Sequence, residues 1–142
     1  ATTKKPFYLD RKFEYDRTYY YRVSAIFAQN GYTAQANESK IEAVTPRDIF
    51  PPLPPAGLEA VYTGRAVQLI WKAAAEANVQ GYDIYREGAD ARPVRLNRSL
   101  LHTPVFGDRS ARRGATYVYW VTAVDAAGNE SLPSVPVTTR TQ

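Results

Sequence analysis

The chain has 142 residues, 44% hydrophobic and 23% charged, with a formal net charge of +4. That length fits one or two small domains, and so ordinary a composition excludes a disordered chain. The lack of cysteine excludes disulfides, thiolate metal sites and cysteine nucleophiles, and an even division of charge along the chain makes neither half a dedicated polyanion binder.

The start, Ala1-Thr2-Thr3-Lys4-Lys5, is basic but has no apolar stretch behind it, unlike a signal peptide. No apolar run approaches a bilayer span, so no direct membrane insertion is expected of this segment. Eleven tyrosines, with many Val and Thr, favour strands. Residues 16–28 read as one long strand with Tyr19, Tyr21, Val23 and Ala25 on one face, which alternation predicts to be the buried one. Asn30-Gly31 signals a hairpin turn, and a second strand is expected at about 40–45. Pro46 to Pro55 then holds five prolines in ten residues, which reads as a short, stiff linker. Beyond it, strands are expected at 57–63, 66–71, 82–87, 94–96, 105–108, 116–125 and 135–139. Residues 73–77 read as a connection, being too short for a lone helix. Seven short strands with regular turns predict an antiparallel sandwich.

The chain also repeats itself. Tyr8-x-Asp10 returns as Phe106-x-Asp108, and Thr18-Tyr19-x-Tyr21-x-Val23-x-Ala25 returns as Thr116-Tyr117-x-Tyr119-x-Val121-x-Ala123, ninety-eight residues on. Asn37-Glu38-Ser39 is matched to Asn129-Glu130-Ser131 after a connection of different length. Long-range self-similarity signals a repeated unit, here tandem domains. Only the second copy has enough chain in front of it to be whole.

Trp71, Gly81-Tyr82-x-Ile84-Tyr85-Arg86 and Thr116-Tyr117 together resemble a fibronectin type III domain. The resemblance implies an all-β, immunoglobulin-like antiparallel β-sandwich, with Trp71 as core tryptophan and Tyr117 as the tyrosine that ties strand F to the preceding turn. Ala111 stands where the family usually has a leucine, six residues before that tyrosine. Phe13 is its counterpart in the first copy. The implied layout is the last three strands of one sandwich over residues 1–46, a linker at 47–55, and a complete domain at 56–142. Such a partial sandwich leaves aromatics half covered. Each buries roughly 150–250 Å² at about 25 cal/mol per Å², so completion by a second copy (a homodimer) or by strands of another chain is expected.

Candidate chemistry is sparse. His102 is the sole histidine, with no nucleophile or metal partners around it in sequence, and reads as a loop residue. Asp10, Asp16, Glu38, Asp83, Asp108 and Glu130 are scattered. The repeat-matched pairs among them, Asp10 with Asp108 and Glu38 with Glu130, read as turn-holding groups rather than a glycosidase pair. Arg86, Arg92, Arg95, Arg98, Arg109, Arg112 and Arg113 crowd part of the second domain, but interspersed carboxylates favour surface pairing over nucleic acid. Tyr20, Phe27, Tyr32, Phe50, Tyr62 and Trp120 are candidates to lie outside the cores. Phe50 is read as a wedge in the proline run, and the connection from Ala28 to Ala36, with Gly31 and Tyr32, as a loop available to a partner.

These readings exclude an assembled acid–base–nucleophile set and call for no cofactor. They predict a non-catalytic spacer in a larger secreted, periplasmic or surface-anchored bacterial protein, such as a lipoprotein, whose partners are other domains of the same polypeptide. The alternative is a module that recognises protein or carbohydrate through Gly31 and Tyr32 or through Arg95 and Arg98, as an accessory to an upstream hydrolase.

Overall fold

The computed structural model describes residues 2–5 and 7–142. Ala1, where the expected N-terminal segment begins, lies outside the described residues, as does Pro6. Two compact units are present, Ala1–Asp48 and Ile49–Gln142. The first holds strands β1 (Tyr19–Tyr21), β2 (Ile26–Gln29), β3 (Tyr32–Gln35) and β4 (Glu42–Val44). The second holds β5 (Glu59–Tyr62), β6 (Val67–Ile70), β7 (Val79–Glu87), β8 (Pro93–Arg95), β9 (Val105–Asp108), β10 (Thr116–Asp125) and β11 (Val137–Arg140). All regular elements among the described residues are strands.

In the second unit β5-β6-β9 form one antiparallel sheet and β11-β10-β7-β8 the other. Alternation explains the core between them: Val67 and Leu69 of β6 face Ile84 of β7 and Tyr119, Val121 and Ala123 of β10, all fully buried. Each large side chain so buried contributes about 1.5–3 kcal/mol. Trp71 joins this core edge-on to Tyr82, with ring centroids 5.3 Å apart. The Tyr117 hydroxyl accepts the Arg112 backbone N–H at 3.1 Å, tying β10 to the turn before it. Ala111 is partly buried against the core beneath that turn. Gly81 sits where β7 meets Leu101, and a Cβ there would lie 2.8 Å from both the Leu101 carbonyl oxygen and Leu100 Cβ. Only glycine allows that approach.

The proline run is less free than a linker reading suggests. Ile49 onward belongs to the second unit, Pro52 and Pro55 are buried, and the Leu53 N–H donates to Glu76 Oε2 at 3.0 Å.

The first unit departs from expectation. The long strand at 16–28 is two strands, β1 and β2, and the residues between them adopt no regular element. β1 pairs with β4, whereas β2 pairs with β3. Each partner can reach only part of the stretch, so its pairing divides. The face expected to be buried is not: Tyr19 and Tyr21 are half-buried, while Val23 is 73% exposed and Ala25 is exposed. Within this unit no described strand lies opposite them as β6 lies opposite β10.

Local bonding in the two units nevertheless corresponds. The Tyr19 hydroxyl accepts the Glu14 N–H at 2.9 Å, as Tyr117 accepts that of Arg112. Tyr21 donates to Asp10 Oδ2 at 3.0 Å, as Tyr119 donates to Asp108 Oδ2 at 2.8 Å. Asp16, in the left-handed region (φ 59°), donates its N–H to the Pro46 carbonyl, as Gly114 (φ 79°) donates to that of Thr141.

The matched Asn-Glu-Ser triplets are not structural counterparts. Ser39 donates its N–H to the Val23 carbonyl and accepts the Val23 N–H on Oγ, and the residue doing this to Val121 is Ser134, not Ser131. Ser131 instead brackets Ala123. Strand register, not three-letter identity, fixes the equivalence.

Candidate functional site

Two constellations stand out. The first is a buried network in the second unit. Asp108, 3% exposed, accepts Arg86 Nη1 at 2.7 Å, the Tyr119 hydroxyl at 2.8 Å, and the Ser110 N–H and hydroxyl at 2.8 and 2.7 Å. Arg86 extends from the apolar side of β7, in step with Tyr82 and Ile84, and its guanidinium lies over the Tyr117 ring at 4.7 Å. Burial pushes the Asp108 carboxyl up, but the Ser110, Tyr119 and Arg86 hydrogen bonds outweigh it and hold the group below the usual aspartate range. The same environment raises the Tyr119 hydroxyl, through burial first and the Asp108 bond second. With four hydrogen bonds on its carboxylate, from β7, β10 and Ser110, this arrangement is an architectural tie between the two sheets. Asp108 therefore does more than hold a turn.

The outer face of the β7–β10 sheet carries a lesser cluster. Tyr85 and Trp120 stack at 5.8 Å with planes 8° apart, and Glu130 accepts both the Tyr85 hydroxyl at 2.9 Å and that of Thr122 at 2.6 Å. Burial and the Glu130 bond push the Tyr85 hydroxyl up to about 12. Tyr62, expected outside the core, packs against it and donates to the Gly64 carbonyl.

Two of the seven arginines crowding the second unit are committed to carboxylates. Arg95 on β8 pairs with buried Asp83 at 3.1 Å, and Asn97 braces the same carboxylate. Arg86 is committed to Asp108, and Arg98 is exposed in the turn after β8. Phe50 is 68% exposed. His102 faces the Gln80 carbonyl at 2.8 Å through Nδ1. The described residues hold no group of three or more His, Asp or Glu side chains arranged for a metal, and no helix long and apolar enough to cross a membrane.

The second constellation lies in the first unit. The stretch expected to be a loop from Ala28 to Ala36 is a paired hairpin, with Ile26↔Gln35, Phe27↔Ala34, Ala28↔Thr33 and Gln29↔Tyr32 in register. Asn30 (φ 49°) and Gly31 (φ 80°) make its two-residue turn. Positive φ at both centres matches the twist of the flanking strands. Tyr32 is therefore a strand residue, 82% exposed, and Phe27 on the same face is 61% exposed. The sequence reading placed Phe27 outside the core but missed its pairing with the Tyr32 face, which the Asn-Gly turn and alternation together fix.

No protein-family model matches the chain. Among solved structures it superposes on an Fn3-like protein from Clostridium thermocellum with a TM-score of 0.55 and 26% identity, over 64% of this chain and 94% of that one. The chain has a fibronectin type III-like fold. Its fold also matches the FN1–FN3 domains of chicken CNTN1, with a TM-score of 0.57 and 18% identity over 95% of this chain and 46% of that one. In sequence the chain is 32% identical over 125 residues to exoglucanase B of Cellulomonas fimi and 36% identical over 102 residues to chitinase Chi52 of Paenibacillus xylanexedens. It is 32% identical over 89 residues to an amylopullulanase of Thermoanaerobacterium saccharolyticum. These matches cover 87%, 70% and 63% of this chain but only 11%, 18% and 7% of the relatives. The chain is thus similar to a small part of each of three large glycosidases.

Proposed function

We propose that this chain is a non-catalytic module pair that sets the spacing and orientation of other domains in a larger extracellular, polysaccharide-active protein of bacterial origin. The observation that carries the reading is that three glycosidases of different named activities share similarity to it over less than a fifth of their lengths. A segment common to enzymes of different specificity serves something other than specificity. The polymers named by such activities are too large to enter cells, which supports work outside the cell. The carboxylate network of Asp108 supports a structural role, because every oxygen is engaged within the fold.

In this reading residues 1–46 are the C-terminal part of one sandwich, 47–55 the junction and 56–142 a complete domain. The corresponding bonds of Tyr19 and Tyr117, and of Asp10 and Asp108, support it. The exposed Val23 and half-buried Tyr19 and Tyr21 are then the surface on which the rest of that sandwich closes. The test is to assay the purified chain on cellulose, chitin and pullulan for released reducing ends. No release is expected. Turnover that disappears on replacing a carboxylate of this chain would overturn the reading.

A further inference from the structure

The β2–β3 hairpin has a composition unlike the rest of the chain. No charged residue occurs between Arg22 and Glu38, in a protein whose residues are 23% charged. Those two flanking groups pair with each other at 2.6 Å, Arg22 Nη1 to Glu38 Oε2. The stretch between is built from aromatic, amide, hydroxyl and small apolar side chains.

Register sorts them onto two faces. Successive strand residues alternate, so Phe27 and Gln29 share a face with their partners Ala34 and Tyr32. Phe27 and Tyr32 are then diagonal neighbours, about 7–8 Å apart in backbone terms, with small Ala34 leaving room beside the Phe27 ring. A shallow groove of about 470 Å³ follows this face, lined by Phe27, Gln29, Asn30, Tyr32, Thr33 and Ala34. The Gln29 and Asn30 side-chain amides make no hydrogen bond among the described residues, whereas Gln35, on the opposite face, is bound to Ser24 Oγ at 2.7 Å. Beyond the tip the way is open, for a Cβ at Gly31 would meet nothing within 4 Å.

We propose that this face binds a neutral polysaccharide chain. A pyranose ring has an apolar C–H face and a rim of hydroxyls. The C–H face suits the electron-rich faces of Phe27 and Tyr32, and the hydroxyls suit free amides that both donate and accept. With no charged side chain in the lining, the groove offers no ion pair to a charged ligand. The hairpin is also too small for a protein partner, since a standard interface engages roughly 20–30 residues a side. A polymer chain crossing an open tip needs only this narrow track. The paired strands and the fixed turn hold both rings in place before binding, which lowers the ordering cost. The choice of polymer rests on the polysaccharide-enzyme reading above, but the site itself rests on the hairpin alone.

The test is affinity electrophoresis of the full chain through gels containing hydroxyethylcellulose, glycol chitin or pullulan. Carboxymethylcellulose serves as the anionic comparison. Retardation by at least one of the three test polymers is expected, surviving moderate salt, with Tyr32→Ala and Phe27→Ala each weakening it about tenfold. Both side chains are mostly exposed, so truncation removes no core, and Tyr20→Ala on β1 is expected to leave retardation unchanged. Gln29→Ala, which leaves both rings in place, is expected to weaken it less. No retardation in any test polymer, or retardation equal in wild type and the Phe27→Ala/Tyr32→Ala variant, would overturn the proposal. So would retardation by the anionic polymer alone. A sedimentation shift from dimer to monomer in that double variant would mark the face as a self-association surface and overturn it too. A chain that neither hydrolyses nor binds these polymers leaves the positioning role intact and removes this proposal alone.

Discussion

Replacing Asp108 with alanine tests the inter-sheet tie most directly. The side chain is 3% exposed and accepts four hydrogen bonds, one of them from Arg86, whose own side chain is 18% exposed. Removing one partner of a buried pair costs about 3–5 kcal/mol, because the other charge is left without compensation. Arg86 keeps its bond to Ser110 Oγ at 2.9 Å, which argues for the lower end, about 3 kcal/mol. For a unit of this size that lowers Tm by roughly 12–24 °C. Both tryptophans, Trp71 and Trp120, lie in the second unit, so indole fluorescence during urea or thermal unfolding reports that unit alone. Replacing the pair together, Arg86→Met with Asp108→Ala, is expected to recover most of the loss, since an apolar residue tolerates the site better than a stranded cation. Asp10→Ala, which breaks the corresponding Tyr21 bond where no ion pair forms among the described residues, is expected to leave the indole transition unmoved. An Asp108→Ala loss below about 1 kcal/mol, or a double variant no more stable than the single one, would refute the reasoning.

Three further outcomes follow from the same geometry. Asp108 and Asp125 are both held below their ordinary value of 3.8, Asp108 by hydrogen bonds that outweigh its burial and Asp125 chiefly by Asn129. Their contribution is therefore present above that value and lost as pH falls through the lower folded values, so the wild-type urea midpoint should drop at acid pH while that of Asp108→Ala drops less. Gly81→Ala places a Cβ 2.8 Å from the Leu101 carbonyl oxygen and should cost about 1–3 kcal/mol in the same fluorescence assay. A variant as stable as wild type would show that the β7–Leu101 contact yields freely. In an alkaline ultraviolet titration Tyr21, Tyr85 and Tyr119 should ionise above the ordinary tyrosine value of 10.0, and Glu130→Gln should advance Tyr85 alone; a titration with no component above that value would contradict their environments.

Much of the second unit was legible because its strands are buried on one face and each pattern repeats every two residues. The span Thr116–Asp125 is the clearest case: Tyr117, Tyr119, Val121 and Ala123 announce both the strand and its inner side. The first unit was less legible, since extended residues become a strand only by finding a partner. Val23 and Ser24 have the right composition but lie where β1 has left β4 and β2 has not yet met β3. The triplet Asn37-Glu38-Ser39 misled because a serine's role follows from the residue opposite it, and identity of letters carries no register. Arg86 left a signal that went unread: an arginine in step with Tyr82 and Ile84 on the inward side of a strand demands a buried acceptor, and Asp108 at the end of β9 is placed to supply one.

The serine clamps carry a consequence for engineering. Ser39 on Val23 and Ser134 on Val121 fasten the returning chain at corresponding points, yet the stretch from Val23 to Ser39 is three residues longer than that from Val121 to Ser134. Extra length is thus absorbed entirely above the clamp, and β1–β4 and β10–β11 pair alike below it. The clamp acts as a socket and the hairpin as its cartridge. Exchanging Ile26–Gln35 for another two-stranded insert is expected to leave the β1–β4 pairing below the clamp unchanged.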